Sequence, residues 1–294
     1  MKSLTPRKGV RLMLVCVLFD GSVGMIIKML NWNPFAIAGL RSMLAAALLF
    51  AYYKSLGVRL AVNRRSVPAG MMISAMFITF VVATRLTTAA NAIALQFCNP
   101  VFIILLSFLV FRQKPSPRDL LTVAGVLIGV FLIFFGSLSA EGARPRYATA
   151  GNAIAVVSGV CLAGMILFNN RAREPAEHYG ALVLGHSFTF VAGIYFIVSS
   201  PPILDAASIV SILSLGILQQ AIPNILYAYA IRVIKPLVCS LLMMLSLVVN
   251  PLLVFATVGE RPGLTEATGC AVILAVSAAV IISDERRHKQ TADK

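Results

Sequence analysis

The sequence predicts an all-α integral membrane protein of ten transmembrane helices, arranged as two inverted five-helix repeats. Three observations carry that reading. The 294-residue chain is 59% hydrophobic and 12% charged, against roughly 25% charged residues in soluble domains, and its mean hydropathy is +0.89. Its apolar residues fall in ten continuous runs, each near the ~20 residues a helix needs to cross hydrocarbon. The stretch 83–114 also has a second copy 147 residues later, at 230–261. Ala83 falls on Ala230, Arg85 on Arg232, and Arg112-Gln113 on Gly259-Glu260.

The expected spans are 12–30, 35–53, 67–84, 88–111, 119–137, 150–169, 180–199, 208–230, 236–257 and 263–283. The runs are long and lack period-2 alternation, which favours helices over a barrel. The first span follows a basic segment (Lys2, Arg7, Lys8, Arg11), as a signal peptide would. The run continues to Met29 with no A-x-A site, so an uncleaved span is expected. The fourth carries Asn91, Gln96, Asn99 and Pro100 and stops at Arg112, Gln113 and Lys114; the proline is expected to bend it. The eighth contains Pro223, a second expected kink. Glycines inside spans (Gly21, Gly24, Gly125, Gly129, Gly159, Gly164) supply small faces for close helix approach. The polar connections are short, and the longest is 139–149.

The net charge is +14. In this composition it reads as the positive-inside bias, not as a nucleic-acid footprint. With the N-terminus inside, nineteen Lys and Arg lie on the cytoplasmic side and five outside: Lys28, Arg85, Arg144, Arg146 and Arg261. Both termini are then cytoplasmic, and the plasma membrane is the expected location. The five cysteines (Cys16, Cys98, Cys161, Cys239, Cys270) all sit in apolar runs without a C-x-x-C, so they read as apolar packing residues.

Five spans per half is an odd number, so the second half must enter the membrane upside down. Inverted repeats of this kind are a transporter architecture with the substrate near the midplane. Shorter matches agree. Gly24-Met25-Ile26-Ile27 resembles Gly164-Met165-Ile166-Leu167, and Ala36 to Ser42 aligns with Ala181 to Ser187, which sets Arg41 opposite His186. The two repeats are placed at 12–137 and 150–283.

On these residues the chain resembles the EamA-type branch of the drug/metabolite transporter superfamily, ten-helix carriers of two EamA repeats. The matching positions are Gly21-Ser22 with Lys28, Pro34 with Leu40-Arg41, and Thr87-Thr88-Ala89-Ala90 with Pro100 in the first repeat. In the second they are Gly151, Ala230-Ile231-Arg232, Gly259-Glu260-Arg261 and Gly269. The likeness covers nearly the whole chain. It departs where the family's Gly-Glu after helix four is Arg112-Gln113, where Leu247 stands opposite Pro100 with the proline displaced to Pro251, and where His186 replaces the helix-two arginine. The resemblance implies a secondary transporter exporting a small metabolite or amino-acid-like compound by alternating access, with the Pro100 bend near the gate. An importer or facilitator of a carboxylate, sugar-like or drug-like solute is the alternative, and a non-transporting scaffold or sensor is the reading from another class.

An ionisable group inside a span costs ~2.5–3.5 kcal/mol on insertion scales and marks a functional candidate. Asp20, Arg41 and His186 are such groups, and with Pro100 they are assigned to coupling or gating. The depths of Asp20 and Arg41 allow an ion pair between the first two helices. The expected substrate lining is amide-rich: Asn91, Gln96 and Asn99 in helix four, Gln219, Gln220, Asn224 and Tyr227 in helix eight, and Asn250 in helix nine. Gln220, Asn224 and Tyr227 stand at i, i+4 and i+7, one helical stripe. No G-x-x-x-x-G-K-[ST] occurs, so ATP hydrolysis is not expected. Acids and histidines do not cluster, so no enzyme, catalytic residue, metal site or cofactor is expected. The partners are then a small-molecule substrate and the bilayer, without nucleic acid; a homo-oligomer is compatible with all of this.

Overall fold

The computed structural model describes residues 5–112, 117–139, 146–169, 174–230, 233–234, 242–243, 245–259 and 263–292. Lys2, Gln113, Lys114, Arg144, Arg232, Cys239, Glu260 and Arg261, invoked above, lie outside the described residues. Among those described, every regular element is a helix. Eight stretches are long and apolar enough to cross a membrane, and two shorter apolar helices, Ser246–Val258 and Leu264–Ala279, follow them.

Helix one is α1 (Pro6–Gly21) and α2 (Val23–Met29), joined at Ser22. Helix two is α3 (Pro34–Ser55); the Asn33 side chain accepts from the Phe35 N–H, and Pro34 fills the first turn, where no donor is missed. Helix three is α4 (Ser66–Leu86). Helix four is two pieces, α5 (Ala89–Gln96) and α6 (Asn99–Phe111). The expected bend is thus a break, and it falls just ahead of Pro100. The Pro100 ring cannot donate to the Gln96 carbonyl and would collide with it in a regular helix. The chain tightens instead, with Cys98 N–H on the Leu95 carbonyl and Val101 N–H on the Cys98 carbonyl.

Next come α7 (Pro117–Ser139), α8 (Ala148–Asn169) and α9 (Pro175–Ser199). Helix eight begins as α10 (Ala206–Leu213), capped by the Asp205 carboxylate on the Ser208 N–H at 2.8 Å. The Ser208 side chain, and after it the Ser208 N–H, lowers the Asp205 pKa from its ordinary value by hydrogen bonding to the carboxylate. The helix widens to a π segment over Ser214–Ala221 and resumes as α11 (Ile222–Ala230). The Pro223 feature is therefore a change of winding at the junction ahead of it. The last two helices are α12 (Ser246–Val258), with Pro251 inside, and α13 (Leu264–Ala292).

Helices two and seven lie against each other where Gly39 meets Gly193. A Cβ on Gly193 would stand 2.8 Å from the Gly39 Cα, so only glycine permits this crossing. Helices five and ten meet in the same way: a Cβ on Gly269 would be 2.6 Å from the Gly129 carbonyl. The remaining large contacts come in matched sets. Helix three packs on helix six and helix eight on helix one; helix three packs on helix seven and the π segment of helix eight on helix two. The core is apolar, with Ile27, Ile37, Leu95, Ile133, Leu215 and Ile273 fully buried. The outer face of α7 presents Leu120, Leu121, Phe131 and Phe135. Cys16, Cys98 and Cys161 are buried thiols and Cys270 is a half-buried one; the Cys16 Sγ lies 3.7 Å from the Pro223 carbonyl.

Candidate functional site

Three polar layers cross the helical bundle. The middle one begins at His186 on α9, whose imidazole is fully buried and stacks on Phe77 of α4 at 4.8 Å and 18°. The Arg41 guanidinium lies over the same Phe77 ring, 5.5 Å from its centre. An arginine over a ring face is held by the ring quadrupole. The two residues that the sequence set opposite each other thus meet on one phenylalanine.

From Arg41 the layer continues into helix eight. A Cβ at Gly216 would stand 2.8 Å from the Arg41 carbonyl, so the π segment is seated directly on helix two. One turn on, Gln219 Nε2 donates to Ser22 Oγ at 2.8 Å, which ties helix eight to the joint in helix one. Asn250 of α12 closes the line, with its amide against Gly24. The Asp20 carboxyl interacts electrostatically with Arg41 and with the Ser246 side chain, whose hydroxyl donates to the Met243 carbonyl at 2.8 Å. Asp20 and Arg41, expected to pair between the first two helices, thus act on each other electrostatically.

Nine buried side-chain atoms of this layer have no protein hydrogen-bond partner: Arg41 Nε, Ser42 Oγ, both ring nitrogens of His186, Gln219 Oε1, and both amide atoms of Gln220 and of Asn250. A native fold pairs nearly all buried polar groups, and each unpaired one costs about 1–3 kcal/mol. Their grouping on α3, α9, the π segment and α12 makes this layer the place where a polar guest is most favoured.

A second layer lies where α4 ends and α8 begins. Thr87 Oγ1 donates to Asn152 Oδ1 at 2.6 Å, and Asn91 Nδ2 donates to Glu266 Oε1 at 3.0 Å. Glu266 Oε2 accepts from the Gly263 N–H, and Lys28 Nζ donates to the Thr87 carbonyl. Glu266 is 1% exposed. Asn91 is therefore held in this outer network, apart from Arg41 and Gln220. Gln96 is bound to α8 instead, its Nε2 donating to Ser158 Oγ at 2.7 Å. Asn99 and Pro100 form the half-buried first turn of α6.

The helix-eight stripe is only partly realised. Gln219 and Gln220 are buried, whereas Tyr227 is 39% exposed. Asn224 Nδ2 turns back onto the Gln220 carbonyl at 2.6 Å. The stripe assumes a 3.6-residue period, and the π segment shifts that period just before Ile222. Phe77, Asn152, Ser158 and Glu266 complete these layers and were not singled out from the sequence. Glu266 carried a signal, as an acid inside an expected span. Phe77 carried none, because an apolar residue in a membrane helix looks like any other.

A third layer is aromatic and lies where α3 ends. Tyr52 Oη and Tyr229 Oη are 2.8 Å apart, and Tyr53 stacks on Tyr179 at 4.6 Å. These rings, with Leu56, Val58 and Ala228, line a small open cleft of about 40 Å³.

Comparison with known proteins fits this architecture. The model of the EamA-like transporter family matches residues 7–135. The matched stretch is somewhat less than half of the chain, and over it the chain is similar to EamA-like transporters. That family lies within the drug/metabolite transporter superfamily, and the match together with eight stretches long and apolar enough to cross a membrane marks the chain as a multi-pass membrane protein similar to transporters of that type. Family members are transporters and not enzymes. A search of curated proteins gives no match. Among solved structures, one described only as the crystal structure of a protein is similar with TM-score 0.62 at 20% identity, over 95% of this chain and 98% of that one. At that identity the likeness concerns the fold alone.

Proposed function

We propose that this protein exports a small neutral, zwitterionic or amphipathic metabolite, amino-acid-like in character, from the cytoplasm across the plasma membrane by alternating access. The solute is bound in the middle layer, against Arg41, Gln219, Gln220 and Asn250. The observation that carries this is the set of unpartnered buried polar atoms running through helices from both ends of the sequence. One arginine and one aspartate suit a solute with balanced charge; a doubly charged phosphate ester calls for more cations. Asp20, Arg41 and His186 are the groups that change partner during the cycle. The two-repeat, inverted arrangement belongs to the same reading. It is supported by the matched packing sets, in which exchanging first-half for second-half helices turns each contact into another contact.

Purified protein in proteoliposomes, offered a panel of labelled amino acids, carboxylates and sugars, tests the proposal. Flux of at least one amino-acid-like solute is expected, and Gln220→Leu should reduce it about tenfold, the equivalent of one lost hydrogen bond to a bound charged group. Folded protein without flux for any member sinks the transport reading. Flux unaltered by Gln220→Leu removes the middle layer as the binding site.

A further inference from the structure

The third layer has a feature that the binding site does not require. Tyr52 and Tyr53 lie eleven and twelve residues beyond Arg41, or about 17 Å along the helix. Tyr229 lies nine residues beyond Gln220, about 14 Å along. Tyr179 precedes His186 by seven residues, about 10 Å. The tyrosines therefore form a ring stacked over the middle layer, at the end where α3 and α11 finish and α9 begins.

The walls of this ring are anchored unequally. On one side α3 and α9 are fixed together through Gly39 and Gly193, and the segment after α3 is fastened to α9. Ala61 N–H donates to the Ala176 carbonyl at 3.0 Å, Asn63 Nδ2 to Glu177 Oε1 at 2.7 Å, and Arg65 pairs with Glu177 at 3.6 Å. Gly180 lies so close under the Ala61 carbonyl that a side chain would not fit. On the other side stands α11, which packs mainly on α1. A side-chain hydrogen bond from Tyr52 to Tyr229 links it to this rigid pair. Directly before α11 comes the π segment, and Pro223 lacks the N–H that would continue the ladder across the junction. π segments and proline junctions are where helices bend.

We infer that the Tyr52–Tyr229 pair is a gate over the middle layer, opened when α11 pivots on the Ser214–Ala221 segment away from α3 and α9. The small open cleft beside the rings is the vestibule the gate serves. Tyr53 and Tyr179, stacked on the fixed side, are the surface against which it closes. The inference rests on the transport reading for its purpose, but its test needs no transported solute.

The test places a cysteine at Ser42, whose buried hydroxyl lies in the middle layer. The full-length protein in sealed membrane vesicles of each orientation is treated with the impermeant reagent methanethiosulfonate ethyltrimethylammonium. Modification at position 42 is counted by peptide mass spectrometry. Adding Tyr52→Ala with Tyr229→Ala should speed modification about tenfold or more, and only from the face where α3 ends. Tyr52→Phe keeps the ring, removes the hydrogen bond and guards against misfolding as the cause; it should speed modification about fivefold from the same face. Unchanged rates in both variants, equal acceleration from both faces, or a cysteine at 42 that stays unreactive throughout would each overturn the gate. A gate that passes this test in a protein that moves no solute would refute the transport reading alone.

Discussion

Phe77 stacks on a histidine and lies beneath an arginine, and it was invisible in the sequence. The reason is physical. A polar side chain in a membrane span announces itself by its cost, whereas an aromatic one costs nothing in lipid and gains a role only from its neighbours. Arg41, His186, Gln219, Gln220 and Asn250 were legible for the first reason. Glu266 was equally legible and shows what the cost secures. Its two carboxylate oxygens accept from Asn91 Nδ2 and from the Gly263 N–H, in a site 1% exposed. Glu266→Gln offers one acceptor in place of two and brings a donor that those partners cannot use. It should lower stability by about 1–3 kcal/mol, the cost of one buried group left unpaired. Thermal unfolding in detergent will read this as a fall in Tm of several degrees; an unaltered Tm would mean that Glu266 does not hold the outer layer together.

The helices themselves were readable because lipid fixes their length. Expected spans such as 35–53, 67–84 and 150–169 differ from α3, α4 and α8 by a few residues at most. Their interruptions were less readable. Pro100 and Pro223 mark the two places where helices four and eight change winding, but a proline tells only that a donor is missing. Whether the chain answers with a kink, a break or a π segment depends on what is packed beside it. In helix four the answer is a tight turn at Phe97-Cys98, against α8. In helix eight it is a π segment seated on Arg41, which carries Gln219 and Gln220 inward and leaves Tyr227 outside the layer. Pro223→Ala restores the donor and should straighten the junction. Backbone hydrogen exchange over residues 214–226 should slow about fivefold, as one added hydrogen bond of ~1 kcal/mol implies. Exchange as fast as in the parent would show that Pro223 is not what keeps this segment open.

At the scale of the molecule, the matched packing sets and the proposed five spans per half lead to one consequence for the membrane. Helix three bears on helix six as helix eight bears on helix one, and helices two and seven, like five and ten, bear on each other. An exchange of halves that preserves these contacts turns the molecule over when each half has five spans. The segment after helix two and the start of helix ten must then face opposite sides. Arg64 is exposed in the first, and Leu264 is 90% exposed in the second. The Lys and Arg bias assigns Arg64 to the cytoplasm. A cysteine at Leu264 should therefore react with an impermeant maleimide added to intact cells, and a cysteine at Arg64 only after the membrane is opened. Labelling of both from one side would mean an even number of crossings between them, and the inverted arrangement would fall. Labelling with the sides exchanged would keep the inversion and reverse the orientation. The cleft at Tyr52 and Tyr229 would then open to the outside, and the end of the path that it governs would be the exit.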